Sequence, residues 1–328
     1  MLYAAFNQEY SCFSIGTEYG FSISDVDPMK ERFKREFDGG IGIIELLFKC
    51  NILALVGGGK KPKFPKTKVM IWDDFQAQCI AELEFKTHVK GVRLRRDRVF
   101  AILENKVFVY NFENLKLLDQ VETYSNPTGI CAVCPTRDHN IIAVLGEREG
   151  QVRVIDYTTN QKLLIEAHTN AISQMTISMD GTKLATTSAR GTLVRIFDIA
   201  TGKKIQELRR GANPAVIHCL AFNKSGSMLC LSSDKGTIHI FSCSNNEINN
   251  KKSTFAFMSP VVPLLGSSWS SKQFSVDEAQ SICAFGEEDG NKTNIIVLGS
   301  SGRYHKYSFT PETECTQEGQ LDYFLPSK

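Results

Sequence analysis

The sequence lacks any long apolar run. Hydrophobic residues make up 42% of its 328 positions, yet no stretch approaches the roughly 18 residues that cross a bilayer as a helix. No secretory signal is read in "MLYAAFNQEY", which has no charged lead, apolar core or cleavage site. It lacks an excess of either charge: 38 basic against 36 acidic residues leave a net +2, so any affinity for nucleic acid or anionic lipid must be local. Its ten cysteines are scattered through apolar stretches such as "MLCLSS" rather than spaced as a disulfide framework. They read as buried free thiols in a reducing compartment. Gly-x-Ser-x-Gly, His-Glu-x-x-His and paired-carboxylate signatures are missing, which argues against an enzyme. Together these absences lead to the expectation of a soluble, cytosolic, non-catalytic chain.

Helical periodicity is scarce as well, and a repeat stands in its place. Short β-rich runs alternate with turn signals from end to end. One unit recurs: an apolar strand, a turn with Gly or Asp, and a second strand closing on aromatic-Asp or its like. Its seven instances close at Asp25, Asp73, Asn111, Asp156, Asp198, Ser242 and Ser308, and by subtraction the intervals are 48, 38, 45, 42, 44 and 66 residues. A period near 40–45 with four strands per repeat signals a β-propeller. The fold class predicted is all-β, a seven-bladed WD40-like propeller of four-stranded antiparallel blades, forming a single domain over 1–328.

The 66-residue interval places about 20 extra residues in one loop of the sixth blade. The segment is "CSNNEINNKKSTFAFMSPVVPLLGSSWSS", 243–271. Asn, Lys and Ser lead it, and then Phe255, Phe257, Met258, Val261, Val262, Leu264 and Leu265 crowd together. Either these fold back onto the rim, or they dip into a lipid interface with Lys251 and Lys252 facing anionic headgroups.

Between the fifth and sixth repeats stands "IQELRRGANP". In an extended strand neighbouring side chains point to opposite faces, so Arg209 reaches toward blade 5 and Arg210 toward blade 6. Gly211 then allows a turn that a Cβ would hinder. Blade 5 offers His168, Ser188, Thr192 and Arg195; blade 6 offers His218, Ser232, Ser233, Thr237 and His239. The two turns align, Ser188 with Ser233, Gly191 with Gly236 and Thr192 with Thr237. Each side supplies an arginine, hydroxyls and an imidazole, a phosphate-binding set without a nucleophile–base pair.

These residues make the chain resemble the PROPPIN family of phosphoinositide-binding propellers. "ELRRG" is flanked by "SARGTLVRIFD" and "SSDKGTIHIF", and "GGGKKPKFPKTKVMIWDD", "VRLRRDR", "NPTGICAVCP", "ICAFGEE" and "YHKYSFTPETEC" extend the likeness over nearly the whole chain. Leu208, where many relatives carry phenylalanine, resembles the WIPI-type branch with a Leu-Arg-Arg-Gly motif. The resemblance implies two headgroup sites for phosphatidylinositol 3-phosphate and the 3,5-bisphosphate. Site 1 would use His168, Ser188, Thr192, Arg195 and Arg209; site 2 would use Arg210, His218, Ser232, Ser233, Thr237 and His239. The loop within 243–271 would be the membrane-inserting loop. The resemblance further implies a monomer without cofactor or nucleic-acid partner, recruiting an autophagy lipid-transfer protein through the blade 1–3 side. It would be cytoplasmic and peripherally bound to preautophagosomal, endosomal or vacuolar/lysosomal membranes. If the histidines face phosphate, binding would tighten as the pH falls toward 6.

The competing signals read as structure. "LRRDR" at 94–98 lacks a following glycine and flanking hydroxyls, and is read as a hairpin with exposed strand charges. "GGGKKPKFPKTK" lacks the phosphate-loop order and is read as a basic surface loop in blade 2. Cys131 and Cys134 have no second pair for zinc. His88, His139 and His305 are read as surface or packing residues, Trp72 as a core residue and Trp269 as an anchor at the loop base. The alternative function is a WD40 protein-interaction scaffold that ignores lipid.

Overall fold

Most inner strands of this chain are apolar on successive residues, as in "LALV" and "VMIW", instead of alternating with polar ones. Such a strand has both faces buried. The computed structural model, which describes residues 1–244 and 268–323, contains 29 strands among them. Blade 1 is β1 (Tyr3–Phe6), β2 (Cys12–Thr17), β3 (Gly20–Asp25) and β4 (Lys30–Glu36). Blade 2 is β5 (Ile41–Leu46), β6 (Ile52–Gly57), β7 (Lys68–Asp73) and β8 (Gln78–Glu84). Blade 3 is β9 (Gly91–Leu94), β10 (Arg98–Ile102), β11 (Lys106–Asn111) and β12 (Leu117–Glu122). Blade 4 is β13 (Ala132–Val133), β14 (Ile141–Leu145), β15 (Gln151–Asp156) and β16 (Gln161–Glu166). Blade 5 is β17 (Ile172–Ile177), β18 (Lys183–Ser188), β19 (Leu193–Asp198) and β20 (Lys204–Arg209). Blade 6 is β21 (Ile217–Phe222), β22 (Met228–Ser233), β23 (Thr237–Ser242) and, beyond the short β24 (Ser268–Trp269), β25 (Lys272–Ser275). Blade 7 is β26 (Ser281–Phe285), β27 (Thr293–Gly299), β28 (Arg303–Phe309) and β29 (Thr316–Asp322).

The strands form seven sheets, each built on an antiparallel meander of four, with β24 added in parallel to the edge of blade 5, and the fold is a seven-bladed β-propeller. The predicted closing residues end the third strand of blades 1 to 6, and Ser308 lies in the third strand of blade 7. Two compact units can be delineated, Met1–Cys131 with Val144–Arg148, and Ala132–Ala143 with Glu149–Lys328.

Within the first unit the two-sided burial is explicit. Leu53, Leu55, Met70 and Trp72 of blade 2 pack with Phe21 and Ile23 of blade 1. Their neighbours Ala54, Val56, Val69 and Ile71 pack with Val92, Leu94 and Val99 of blade 3. In the second unit Val194, Ile196 and Leu208 of blade 5 share a cluster with Phe222, Leu229 and Leu231 of blade 6. Burying a side chain such as Leu208 is worth about 1.5–3 kcal/mol, so the parity of β20 is fixed by Leu208 facing blade 6.

Several sequence readings are corrected here. "LRRDR" does form a hairpin, with Arg95 N donating to Arg98 O at 2.9 Å, but its charges are not all exposed. Arg95 is buried and its Nε donates to Asp97 Oδ1 at 2.8 Å. Arg96 points out, 4.8 Å from the Phe48 ring centroid. Of the ten free cysteines only Cys12, Cys131, Cys134, Cys230 and Cys283 are buried; Cys50 is exposed and four are half-buried. His305 is a buried packing residue, its Nε2 3.3 Å from Glu278 Oε1. The basic loop of blade 2 does connect β6 to β7, held by Lys63 Nζ on Asp38 at 2.7 Å.

Candidate functional site

The parity of β20 places the two arginines. With Leu208 in the interface with blade 6, Glu207 and Arg209 take the other face of the strand and Arg210 returns to the Leu208 side. Arg209 stands opposite Leu193 on one side and Trp269 on the other. Arg210 is buried; its Nε donates to Gly191 O at 3.0 Å and another guanidinium nitrogen to Asn213 O.

On the Arg209 face, a cross-strand row runs Thr186, Arg195, Glu207. His168, on the loop after β16, meets this row: its Nε2 is 3.0 Å from Thr186 Oγ1. Arg195 Nε donates to Glu207 Oε2 at 2.9 Å, and its Nη1 to Ala167 O at 2.7 Å. Ser188 and Thr192 are buried at the adjoining turn. Arg195, expected as a phosphate donor, therefore already holds a carboxylate. Thr186 and Glu207 escaped the sequence reading; Glu207 stands inside the motif itself, and Thr186 in the hydroxyl-rich "ATTS".

On the Arg210 face, His239 is buried with its Nδ1 3.3 Å from Ser270 Oγ. Ser270 belongs to the return end of the long connection. Ser233 is buried at the β22–β23 turn, which Thr237 leaves as the first residue of β23. His218 is the residue passed over where the β21–β22 register slips, and its Nε2 is buried without a hydrogen-bond partner. Ser232 is fully buried and its hydroxyl donates to Ser281 O at 2.5 Å, so it ties blade 6 to blade 7.

The turns align through Ser188 with Ser233 and Gly191 with Gly236. Both glycines take positive φ, 63° and 66°, and each amide donates to the serine carbonyl, at 2.8 and 3.1 Å. The alignment of Thr192 with Thr237 fails one residue later. Thr237 opens β23, whereas Thr192 precedes β19, because the blade 5 turn is one residue longer. Downstream the equivalent of Arg195 is His239: each is the third-strand residue paired two positions back from Ser188 or Ser233. Gly211 is also corrected, since a Cβ there would meet nothing within 4 Å and its φ is not positive.

Burial, reinforced by the positive charge of Arg195, pushes His168 down to about 4. Burial and then Arg210 do the same for His239, also to about 4. Burial lowers His218 too, against the raising effect of Asp234. The imidazoles of His168 and His239 are therefore neutral at pH 6, and the expected tightening toward pH 6 has no charge change behind it in the free protein. The apolar residues Phe255, Phe257, Met258, Val261, Val262, Leu264 and Leu265 lie outside the described residues, as do Lys251 and Lys252. Their connection does span the third and fourth strands of blade 6, and it returns through Ser268–Trp269, which pairs in parallel with β20. Among the described residues no helix is long and apolar enough to cross a membrane.

This arrangement can bind an anion on either face of β20 but has no reacting pair. The PROPPIN family profile matches residues 2–262. The chain is 35% identical over 316 residues to "Autophagy-related protein 18e" of Arabidopsis thaliana, covering 94% of this chain and 83% of that protein. It is 33% identical over 324 residues to "SVP1-like protein 2" of Pichia angusta, covering 94% and 90%. Kluyveromyces lactis Hsv2p matches in fold with a TM-score of 0.79 at 22% identity over 99% of each chain. KlAtg21, solved in complex with the coiled-coil of AgAtg16, matches with 0.78 at 21% over 98% of each. The seven blades, the split arginine pair and these relatives together mean that the chain belongs to the PROPPIN family, the autophagy-related β-propellers that act as non-enzymatic scaffolds or effectors.

Proposed function

We propose that the protein is a cytoplasmic peripheral-membrane effector binding phosphatidylinositol 3-phosphate and the 3,5-bisphosphate at two sites on blades 5 and 6. The observation that carries this reading is the placement of Arg209 and Arg210 on opposite faces at the end of β20. Arg209 is on the face that carries Arg195 and Thr186, which His168 meets, and Arg210 on the face where its charge acts on His239, with buried serines at both turns. Site 1 uses Arg209, Arg195, His168, Ser188 and Thr192. Site 2 uses Arg210, His239, Ser233, Thr237 and His218; Ser232 supports the site through its bond to Ser281. Charge-assisted hydrogen bonds contribute roughly 1.5–3 kcal/mol each, and two headgroups on one protein make the second engagement intramolecular. The apolar loop and Trp269 add the second signal that peripheral anchoring requires. Membranes of forming autophagosomes, endosomes or vacuoles and lysosomes are the sites of action.

Partner recruitment belongs to the other unit. Between blades 2 and 3 lies a groove of about 920 Å³ lined by Phe85, Phe108 and Tyr110 with Lys86, Lys90 and Lys106. Glu84 and Glu104 line it too, and Lys90 lies 3.7 Å from Glu104 and Lys106 3.0 Å from Glu122. Its aromatic residues therefore suit the apolar side chains of a partner segment, which supports recruitment of an autophagy lipid-transfer protein through blades 1–3. Flotation with vesicles containing 5 to 10% phosphatidylinositol 3-phosphate tests the lipid reading. Wild type should float and R209T/R210T should stay at the bottom, an effect of roughly tenfold or more if two charged contacts are lost. Equal flotation of the two would leave the protein-scaffold reading in its place.

A further inference from the structure

Of the differences between the two proposed sites, one is a carboxylate set against a site arginine. In blade 5 the row Thr186, Arg195, Glu207 sets Glu207 directly across from Arg195. Glu207 Oε2 accepts from Arg195 Nε at 2.9 Å and from Lys204 Nζ at 3.0 Å. Its side chain is 13% exposed, that of Lys204 46%. In blade 6 the row at the same register is Leu231, His239, Gln273, and the position of Glu207 is held by a neutral amide. The carboxylate closest in influence to site 2 is Asp234. It accepts from Val216 N at 3.1 Å, lies 3.6 Å from Lys235 Nζ, and acts on Arg210 only through its field.

We propose that Glu207 is an internal anion that holds Arg195 in place of the lipid phosphate, so that site 1 is the weaker site and site 2 fills first. The inference rests on the phosphoinositide reading above. Arg195 has five N–H donors in a planar fork. Nε is committed to Glu207 and Nη1 to Ala167 O. A phosphate approaching the remaining edge meets a carboxylate already neutralising the guanidinium. It must either break that pair or bear like-charge repulsion at close range. Lys204 makes the first route open: it contacts the same carboxylate oxygen from the solvent side, so Glu207 keeps a cation when Arg195 turns to phosphate. The clasp is therefore displaceable, and it exists on one site only.

Titration calorimetry with dibutanoyl phosphatidylinositol 3-phosphate separates the sites, using R210T to report site 1 and R209T to report site 2. The R209T protein should bind more tightly than R210T. Adding E207Q to R210T should tighten binding by up to about fivefold, the span of one partly exposed ion pair, and E207A should move it in the same direction. E207Q added to R209T should change nothing. Weaker or unchanged binding by R210T/E207Q, while wild type still binds, overturns the inference and makes Glu207 a positioning residue for Arg195. A wild type that binds neither this lipid nor vesicles overturns the phosphoinositide reading itself. Inorganic phosphate run in parallel should give a far weaker response; an equal response would make both pockets general anion sites and overturn the headgroup assignment.

Discussion

At pH 7 His168 and His239 are neutral groups inside cationic surroundings, held there by burial and by Arg195 and Arg210 respectively. Free imidazole titrates near 6.5, so between that value and about 4 the unfolded chain binds protons that the folded chain refuses. Stability from these two residues is complete above pH 6.5 and is lost as the pH falls toward 4. Glu45 titrates in an overlapping window with the opposite sign: burial raises it to about 7 despite Arg93, so the folded chain takes up its proton first. The histidine contribution is thus the difference in urea-derived stability between wild type and H168Q/H239Q. That difference should be constant from pH 8 to 7 and shrink between 6.5 and 4; a difference independent of pH would contradict the burial of these rings. At this scale the candidate site residues were legible as a set, because arginine, hydroxyl and imidazole together suit an anion. Their existing partners were not. Glu207, Thr186 and Ser270 reach the site across strands, and no local spacing links Ser270 to His239, 31 residues away.

Among elements, β24 sets the geometry of the loop's return. Its two residues pair in parallel with β20, Ser268 with Leu208 and Trp269 with Arg209, so the connection ends beside the arginine pair. Ser271 N then donates to Ile240 O at 2.8 Å and leads into β25 on blade 6. The loop-base position of Trp269 matches the sequence reading, but this crossing from blade 5 to blade 6 had no signal in a two-residue strand. The two tryptophans contrast: Trp72 is 6% exposed against Phe21 and Phe37, Trp269 40%. Indole rings favour the boundary between water and lipid. In a W72F protein, emission should shift to the blue when vesicles containing phosphatidylinositol 3-phosphate are added, and R209T/R210T should abolish the shift. Unshifted emission from vesicle-bound protein would place Trp269 away from the bilayer.

For the whole molecule, the single-domain reading of 1–328 is a proposal with a calorimetric test. One thermal transition with equal calorimetric and van't Hoff enthalpies is expected; two resolved transitions would show that the compact units unfold separately. The sequence by itself determined the all-β class, the seven repeats, the closing residue of the third strand in blades 1 to 6 and the divergence of Arg209 from Arg210. All of these follow from local rules, the two-residue period of a strand and the turn chemistry at its ends. Tertiary structure alone decided which charges are spoken for. It buried Arg95 against Asp97 and left Arg96 outside, gave Arg195 to Glu207, turned the Ser232 hydroxyl to Ser281 and left Gly211 without a steric role. The physical reason is that an ion pair or a buried hydroxyl is set by strand register and by the neighbouring blade, and neither is written within a few residues of the group concerned.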